Sequence, residues 1–457
     1  MRRRGRLLRP AASTGVTALA VLILGAVLPP RPEAAAADVR EATVPGDGFA
    51  WRLFFTGDTR GYIHPCGCAE GLFGGLPRRA TYLAKARKPG DLLIDLGNLI
   101  EGTRPHERLK LGYVLEGLKQ LEYDVIVPGE GELALGEDFE KAVAGIARPK
   151  VVCANLVRAG SKERIFEPWI LHKLPDGRTA AVVGLTSPYQ TVPERYAVLD
   201  PAATLNDAVA SLKGKADLIV VAAYLEGKPA LDLAAAFASV DVVIAGRVPR
   251  GSDALLLRGG APVMVGGERG QYVSFVGFGG GAKAQAASRG WLGDAVPDTP
   301  ALADLVKRYD KDASRFGEAF AREAIAAFRT ASWVGSAACA ECHEAAYAAW
   351  EKSKHSHAMA ALAEKHQEKN PDCMKCHLQD LPAAGTEAVH GIGCESCHGG
   401  GLAHVTALKA GTPHVRASTF KTSVGQSCVA CHDEVNSPRF DRTEYWKRIA
   451  HGATGGE

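Results

Sequence analysis

Four copies of one short cysteine–histidine pattern carry the clearest chemistry in this sequence. Each copy has the form C-x-x-C-H, and the copies are Cys339–His343, Cys373–His377, Cys394–His398 and Cys428–His432. Two cysteines three residues apart lie on one side of a helical turn, so both thiols can bond the two vinyl groups on one edge of a porphyrin. The histidine that follows can bind the iron as the proximal ligand. The four motifs therefore predict four covalently bound haem c groups.

The motifs assign a role to each of their residues. The predicted thioether positions are Cys339, Cys342, Cys373, Cys376, Cys394, Cys397, Cys428 and Cys431, and the predicted proximal iron ligands are His343, His377, His398 and His432. Zinc ribbons also use paired C-x-x-C units, but zinc does not require a histidine after every second cysteine. A disulfide framework likewise leaves the four histidines unexplained. Haem is therefore favoured over both alternatives.

Each iron would have a sixth coordination position. A second histidine at that position gives an electron-transfer centre, whereas an open position can bind a small ligand. Seven further histidines are available: His355, His357, His366, His390, His404, His414 and His451. Seven imidazoles in one small segment predict that several of them are distal ligands, whereas a lone surface histidine is usually only solvated.

The sequence around the motifs resembles the tetrahaem cytochrome c-554 family. The resemblance rests on W-V-G-S-A-A-C-A-E-C-H, on G-C-E-S-C-H-G-G-G-L-A-H and on Y-W-K-R-I-A-H-G, and it covers about residues 333–455. It implies stacked haem pairs, single-electron relay and distal ligation by His355, His404 and His451. His390 and His414 are candidates for the remaining iron, which in this family can also lack a protein ligand.

The region before the motifs alternates apolar runs with helical patterns. Strands are predicted at Leu53–Thr56, Leu92–Asp95, Val125–Pro128, Val151–Ala154, Ala180–Gly184, Leu218–Ala222 and Val240–Ala245, and helices at Leu76–Arg87, Glu107–Leu121 and Asn206–Leu212. Such alternation implies an α/β domain with packed sheet layers. From Trp333 onward apolar runs nearly vanish, so the last segment needs large apolar cofactors to fill its centre.

The α/β region resembles the catalytic domain of periplasmic 5'-nucleotidases and related calcineurin-like metallophosphoesterases. The resemblance rests on L-F-F-T-G-D-T-R-G-Y-I-H-P, L-L-I-D-L-G-N, V-G-L-T-S-P and D-V-V-I-A-G, and covers about residues 50–280. It implies a four-layer α/β/β/α sandwich with two metal ions at the strand ends. The expected fold class is thus α/β, with this sandwich followed by a mostly helical, loop-rich tetrahaem domain.

The metal-ligand positions of that family are largely altered here. Asp58 is kept, but other ligand positions hold Arg60, Asn98, Glu130 and Arg247. Two metal ions need several anionic or imidazole ligands in one place, and the two arginines would add positive charge there. We therefore expect a domain that has kept the fold of this family and lost its metal chemistry.

One further cysteine pair lies in a Gly-rich loop after the first strand, between Arg60 and Asn98. Cys66 and Cys68 flank Gly67, and they could form a strained disulfide, a redox-active dithiol or part of a metal site. A structural disulfide or two free thiols are the simpler alternatives. Cys153 follows a predicted strand and is expected to be buried as a small apolar residue.

The beginning of the sequence is typical of an export signal. Several arginines precede the apolar stretch Val16–Leu28, which is short for a membrane span, and small residues follow at Ala34–Ala37. Residues 1–37 are therefore predicted to be cleaved on export to the periplasm, which leaves no stable membrane span. The net charge of +3, without a basic stripe, gives no argument for nucleic-acid binding.

The remaining boundaries follow from composition. We expect a linker over residues 38–49, the phosphoesterase-like domain over 50–285, a helical linker over 286–332 and the tetrahaem domain over 333–457, with Gly277–Arg289 as the polar boundary. The function predicted is electron transfer between redox partner proteins, with the first domain as a docking or scaffold module. Two alternatives remain: a haem-dependent oxidoreductase of a small nitrogen or sulfur compound, and a metal-dependent phosphoric ester hydrolase. The oligomeric state stays open.

Overall fold

A computed structural model of the protein describes residues 42–66, 72–247, 255–256, 261, 263–267, 269–279, 284–383, 389, 391–411, 428–433, 436–437 and 440–451. The strands are β1 Trp51–Thr56, β2 Pro65–Cys66, β3 Phe73–Gly74, β4 Leu92–Asp95, β5 Val125–Ile126, β6 Lys150–Val151, β7 Leu156–Arg158, β8 Trp169–Lys173, β9 Thr179–Thr186, β10 Tyr196–Val198, β11 Leu218–Tyr224, β12 Val242–Ala245, β13 Leu255–Leu256, β14 Val263–Val265, β15 Tyr272–Phe278 and β16 Ala284–Trp291. The helices are α1 Leu76–Ala86, α2 Pro105–Gln120, α3 Glu130–Leu135, α4 Glu137–Val143, α5 Pro201–Leu212, α6 Gly227–Ala236, α7 Pro300–Thr330, α8 Ser336–Ala340, α9 Glu344–Glu351, α10 Ala358–Ala363, α11 Pro371–His377, α12 Cys394–His398, α13 Leu402–Lys409 and α14 Arg442–Ile449.

Two six-stranded sheets form the centre of the first half of the chain. Their strand orders are β16-β15-β1-β4-β5-β6 and β13-β14-β12-β11-β9-β8. In the first sheet β1, β4, β5 and β6 run parallel, and in the second β9, β11, β12 and β14 do. The carboxyl ends of parallel strands meet at one edge of a sheet, so the loops that follow β1, β4, β5 and β11 converge there.

Apolar side chains fill three layers around these sheets. The core between the sheets includes Leu53, Phe55 and Ile94 from the first sheet and Val182, Val220 and Ile244 from the second. The outer face of the first sheet is covered by α1, α2 and α7, and that of the second by α5 and α6. The layers are therefore α/β/β/α, which confirms the predicted fold class. We call this sandwich with its covering helices the front domain, and residues 333–451 the haem segment.

The boundary between these two parts differs from the predicted one. Gly277–Arg289 was expected to separate domains, but β15 and β16 pair there as antiparallel strands of the first sheet. The following helix α7 was expected to be a linker, yet Leu302, Leu305 and Tyr309 are buried in the front-domain core. The physical reason is the apolar stripe on α7, whose burial against α1 and α2 outweighs its otherwise charged composition.

The haem segment consists of short helices joined by turns. It begins where Trp333 stacks on Phe328 of α7, with ring centroids 4.3 Å apart. Trp350 is buried and donates its indole N–H to the carbonyl of Ile392 at 2.8 Å. Leu402, Leu408 and Trp446 remain between 45% and 48% exposed. Within the described part of the chain, no helix has both the length and the apolar character that a membrane crossing needs.

Candidate haem sites and the altered metal site

The cysteine–histidine motifs lie on short helical turns. The second motif is the end of α11 and the third motif is α12, while the first begins in the last turn of α8. In α11 the side chain of Asn370 caps the helix by accepting the N–H of Asp372 at 3.0 Å. In the fourth motif the N–H of His432 donates to the carbonyl of Cys428 at 2.8 Å, as in a helical turn. These turns place each cysteine pair and its histidine together, as the spacing requires.

Three histidines of the motifs each face a second histidine. The ring centroids of His343 and His404 are 6.1 Å apart, those of His355 and His432 are 6.1 Å apart, and those of His398 and His451 are 6.1 Å apart. One metal ion between two imidazoles holds their centres about 6 Å apart, because each metal–nitrogen bond is about 2 Å and each ring adds its own radius. Each of the three pairs could therefore hold one metal ion between its two rings.

Hydrogen bonds hold several of these rings through one nitrogen. Nδ1 of His377 donates to the carbonyl of Ala358 at 2.6 Å, and Nδ1 of His451 donates to that of Ile449 at 2.8 Å. Nδ1 of His432 lies 2.8 Å from the hydroxyl of Ser437. Metal-bound histidines typically engage the second ring nitrogen in this way, which fixes the tautomer and leaves Nε2 for the metal.

Burial favours the neutral form of three of these imidazoles. It lowers the pKa of His355, with a further contribution from the charge of His432. It also lowers the pKa of His398, with His451 and His343 adding to the effect. Burial lowers the pKa of His432 as well, although Asp433 opposes it. Since a metal binds the unprotonated ring, these shifts favour ligation at neutral pH.

A cavity of about 390 Å³ lies among the first and third motifs. Cys339, Cys342, Cys394 and Cys397 line it together with two of the histidine pairs. Leu408 and Trp446, which are half-exposed, also face it. Thiols, paired imidazoles and uncovered apolar side chains around one space are what a covalently attached porphyrin needs. The residues present therefore fit haem c.

The thiols of different motifs also lie close together. Cys339 of the first motif is near enough to Cys394 of the third to lower the pKa of its thiol, and Cys431 of the fourth motif acts on the pKa of Cys376 of the second in the same way. These contacts pair the first attachment site with the third, and the second with the fourth. His377 of the second motif has no facing histidine ring among the described residues. The candidates His390 and His414 lie outside the described residues.

Two buried carboxylates that the sequence analysis did not single out fix the haem segment. Glu395, inside the third motif, accepts the backbone N–H groups of Val334 at 2.9 Å, Gly335 at 2.8 Å and Gly401 at 2.6 Å. Asp380 accepts the N–H of Ser336 at 3.1 Å. A glutamate between two haem cysteines gives no warning of this role, since Glu341 occupies a similar place in the first motif and is exposed.

The retained Asp58 and the four altered metal positions of the front domain do come together, around Tyr224. Asp58, which follows β1, accepts hydrogen bonds from Nε of Arg60 at 3.0 Å and from the amide of Asn98. Arg247 lies 3.4 Å from Glu226 and 3.9 Å from Glu130. The carboxylates of Asp58, Glu130 and Glu226 are therefore already opposed by guanidinium groups, and these residues do not fit a pair of metal ions.

The described residues contain one grouping of three potential metal ligands, and it lies elsewhere. His106, Glu107 and Asp372 have ligand atoms within 4.8 Å of one another. The ammonium of Lys110 is ion-paired with Asp372 and lies 3.1 Å from Glu107, so a cation is already present there. Asp372 belongs to α11, so this buried cluster joins the front domain to the second motif. No sequence pattern links its members, which the fold alone brings together.

The remaining predicted residues are three cysteines and two histidines outside the sites described above. Cys153 is completely buried, and burial raises the pKa of its thiol to about 12. The side chain of Cys66 and the whole of Cys68 lie outside the described residues. His357 is exposed, and its Nδ1 lies 2.7 Å from the hydroxyl of Ser356, while His366 is also exposed.

Comparison with known protein families gives one match in the haem segment. Residues 338–399, which contain the first three motifs, match the family described as cytochrome c554 and c-prime. No curated protein sequence matches the chain. The matched region thus resembles a cytochrome c, which indicates haem c as the cofactor type and electron transfer as the general function of this region.

Solved structures resemble the front domain. A Thermus thermophilus sulfate thiohydrolase SoxB in complex with glycerol is 15% identical, with a TM-score of 0.50, over 58% of this chain and 61% of that chain. A 5'-nucleotidase precursor from the same species is 24% identical, with a TM-score of 0.48, over 57% of this chain and 58% of that chain. Calcineurin-like phosphoesterase YfkN from Bacillus subtilis is 18% identical, with a TM-score of 0.48, over 57% of this chain and 97% of that chain. This chain thus spans about three-fifths of the first two, and the likeness concerns the fold alone.

Proposed function

We propose that this protein is an exported electron-transfer cytochrome that holds four haem c groups. The observation that carries the proposal is the set of three histidine pairs with ring centroids 6.1 Å apart, each containing one histidine of a C-x-x-C-H motif. The distal members are His404, His355 and His451, for the first, fourth and third motifs in that order. Haem c, when bound, supplies an iron that takes up and releases one electron.

The chain itself would perform three tasks around that iron. The motif cysteines would anchor the ring, and the paired imidazoles would hold the iron and so exclude exchangeable ligands. The hydrogen bonds at Nδ1 of His377, His432 and His451 keep those rings oriented. The contacts Cys339–Cys394 and Cys376–Cys431 support two neighbouring pairs of sites, which suits relay along the segment.

The front domain, in this proposal, is a scaffold and docking module. Its former metal positions carry Arg60 and Arg247 opposite the carboxylates, which leaves no anionic site for two cations. Its helix α2 instead holds α11 of the second motif through Lys110 and Asp372, and α7 holds the residue before the N-cap of α11 through Glu318 and Lys369 at 3.0 Å. A hydrolase would need metal ligands at the strand ends, whereas a scaffold needs only these contacts.

Spectroscopy of the purified holo-protein tests the main proposal. Pyridine haemochrome assay should give four haems per chain, and the reduced protein should show c-type absorption bands. Electron paramagnetic resonance should show at least three low-spin ferric centres. Zinc in place of iron, or fewer than four haems in a fully matured preparation, would contradict the proposal.

A haem-dependent oxidoreductase is the second candidate, and the iron site at His377 decides between the two. The candidate distal ligands of that site, His390 and His414, lie outside the described residues. An iron held by His377 alone would have an exchangeable position. Binding of carbon monoxide to one of the four reduced haems would support this candidate, and four ligand-inert haems would favour the pure electron carrier.

A further inference from the structure

The second motif lies against the former metal-site edge of the front domain. Lys375, between the two cysteines of that motif, lies 4.0 Å from Glu101. Glu101 in turn lies 3.5 Å from Arg60, which is bonded to Asp58. The buried pair Lys110–Asp372 clamps the same helix from the side. The edge that carries the active site in metallophosphoesterase folds therefore adjoins the site proposed here for one haem.

Arg269 is held rigidly on this edge. Its N–H donates to the carbonyl of Asp58 at 2.8 Å, and its backbone has a φ of 44°, which fixes it in the left-handed region. Two residues before it, Gly267 packs so closely on Gly57 that a Cβ would lie 2.3 Å from the Gly57 carbonyl oxygen. The guanidinium lies over the ring of Tyr62, with its carbon 4.8 Å from the ring centroid.

The guanidinium of Arg269 has an unused donor. Its Nη1 is buried and has no hydrogen-bond partner among the described residues. Burying an unpaired N–H of a charged group is unfavourable, and arginine offers donors only. Its missing partner must therefore be an acceptor, and an anionic oxygen suits a guanidinium best.

A chain of contacts leads from Arg269 to the second motif. The backbone N–H of Arg269 donates to the carbonyl of Asp58, whose carboxylate binds Arg60. Arg60 and Lys375 of the second motif lie 3.5 Å and 4.0 Å from the same residue, Glu101. The front domain thus presents one incompletely satisfied cation to the second site.

We propose that Arg269 is the anion-binding residue of the second haem site, where its Nη1 donates to an anionic oxygen. This inference rests on the proposed function, because it needs a haem at Cys373 and Cys376. Two sources offer the same chemistry: a propionate of that haem, or a small oxyanion bound beside its iron. In either case a residue of the former phosphoesterase fold has been recruited to the haem chemistry.

The test compares full-length holo-proteins carrying Arg269→Ala, Arg269→Lys and, as a matched control, Arg289→Ala. Arg289 also lies over a tyrosine of the front domain, Tyr272, at 5.0 Å. Haem content is measured first. Four haems in the unaltered protein establish the proposed function, so a failure of that function is recognised separately from a failure of this inference.

Redox titration without added oxyanions forms the first arm. If a propionate is the partner, Arg269→Ala lowers one of four midpoint potentials, since removal of a positive charge disfavours the added electron. We expect at least a tenfold change in that reduction equilibrium, which is 59 mV for one electron. Arg269→Lys retains most of the parent value because it keeps the charge, and Arg289→Ala leaves all four potentials unchanged.

The second arm is a titration with nitrite and with sulfite, in which the absorption of the haems reports binding. If an external oxyanion is the partner, Arg269→Ala weakens binding at least tenfold while the potentials stay at parent values. The inference is overturned if Arg269→Ala keeps both the four potentials and the anion affinities of the parent. Should Arg269→Ala lose one haem, Arg269→Gln, which keeps the side-chain bulk, is judged by the same two measurements.

Discussion

The imidazole rings of His398 and His451 face each other with their centroids 6.1 Å apart, although one belongs to the third motif and the other follows α14. We expect His451→Ala to convert one low-spin haem to high spin while all four haems stay attached, because attachment depends on the cysteines. Electron paramagnetic resonance and haemochrome assay measure the two effects. His366→Ala, which removes an exposed imidazole, should leave the spectrum unchanged. An unaltered spectrum in His451→Ala would show that this pair does not share an iron.

The buried cluster between α2 and α11 should make stability depend on acid pH. Burial alone would raise the pKa of Glu107, but the hydrogen bond from His106 and the charge of Lys110 outweigh it and lower that pKa to about 2, against 4.5 ordinarily. The folded state therefore binds this proton less tightly than the unfolded state. The resulting stability is present above pH 4.5 and is lost as the pH falls towards 2.

Glu107→Gln tests this dependence. The variant should unfold at lower urea concentration than the parent at pH 6, and the difference should shrink as the pH falls below about 4.5. Circular dichroism during urea titration gives both quantities. Glu116→Gln, at an exposed ion pair with Arg308, should change stability by less than about 1 kcal/mol at every pH. A difference independent of pH would contradict the assigned role of Glu107.

The carboxylate of Glu395 should be needed for the haem segment to fold. Glu395→Gln replaces an acceptor of three backbone N–H groups with an amide that brings its own donors, and we expect a loss of about 2–3 kcal/mol. Thermal unfolding and haem content per chain report the loss. Glu341→Gln alters the exposed glutamate between the cysteines of the first motif, which is paired with Lys409, and should be nearly neutral. Equal effects of the two substitutions would contradict the structural role assigned to Glu395.

The front domain should bind no pair of catalytic metal ions. Elemental analysis of the purified protein should find iron in proportion to haem and no two equivalents of manganese, zinc or other dications. Asp58→Ala should leave the metal content unchanged, since Asp58 is occupied by Arg60 and Asn98. Two tightly bound non-haem ions, together with phosphate-ester hydrolysis that Asp58→Ala abolishes, would establish the hydrolase alternative instead.

Local sequence patterns are sufficient to predict the haem motifs and most strands of the sandwich. The haem motifs need only a spacing, and strands such as β4 and β11 are buried apolar runs that any β-sheet core requires. By contrast, β16 contains mainly alanine, serine and glycine with no β-branched residue, so only its pairing with β15 makes it a strand. Its composition therefore led to a false boundary.

Contacts between residues far apart in the chain could not be predicted from the sequence. Lys110 and Asp372 are 262 residues apart, and nothing near either residue indicates the other. Arg269 lies in a turn whose importance depends on where the second motif packs. The facing histidines are an intermediate case. The sequence shows how many histidines are available, and the resemblance suggested three distal ligands. Only the fold, however, places one ring opposite another.

Helix α7 has a mechanical consequence for how such a protein would meet its partners. Its 31 residues form one continuous rod of about 46 Å, buried at one end in the front-domain core and stacked through Phe328 on Trp333 at the other. A flexible tether would let the haem segment swing between a donor and an acceptor. A rod of this kind prevents such swinging, so partners must diffuse to a surface whose orientation the front domain has already set.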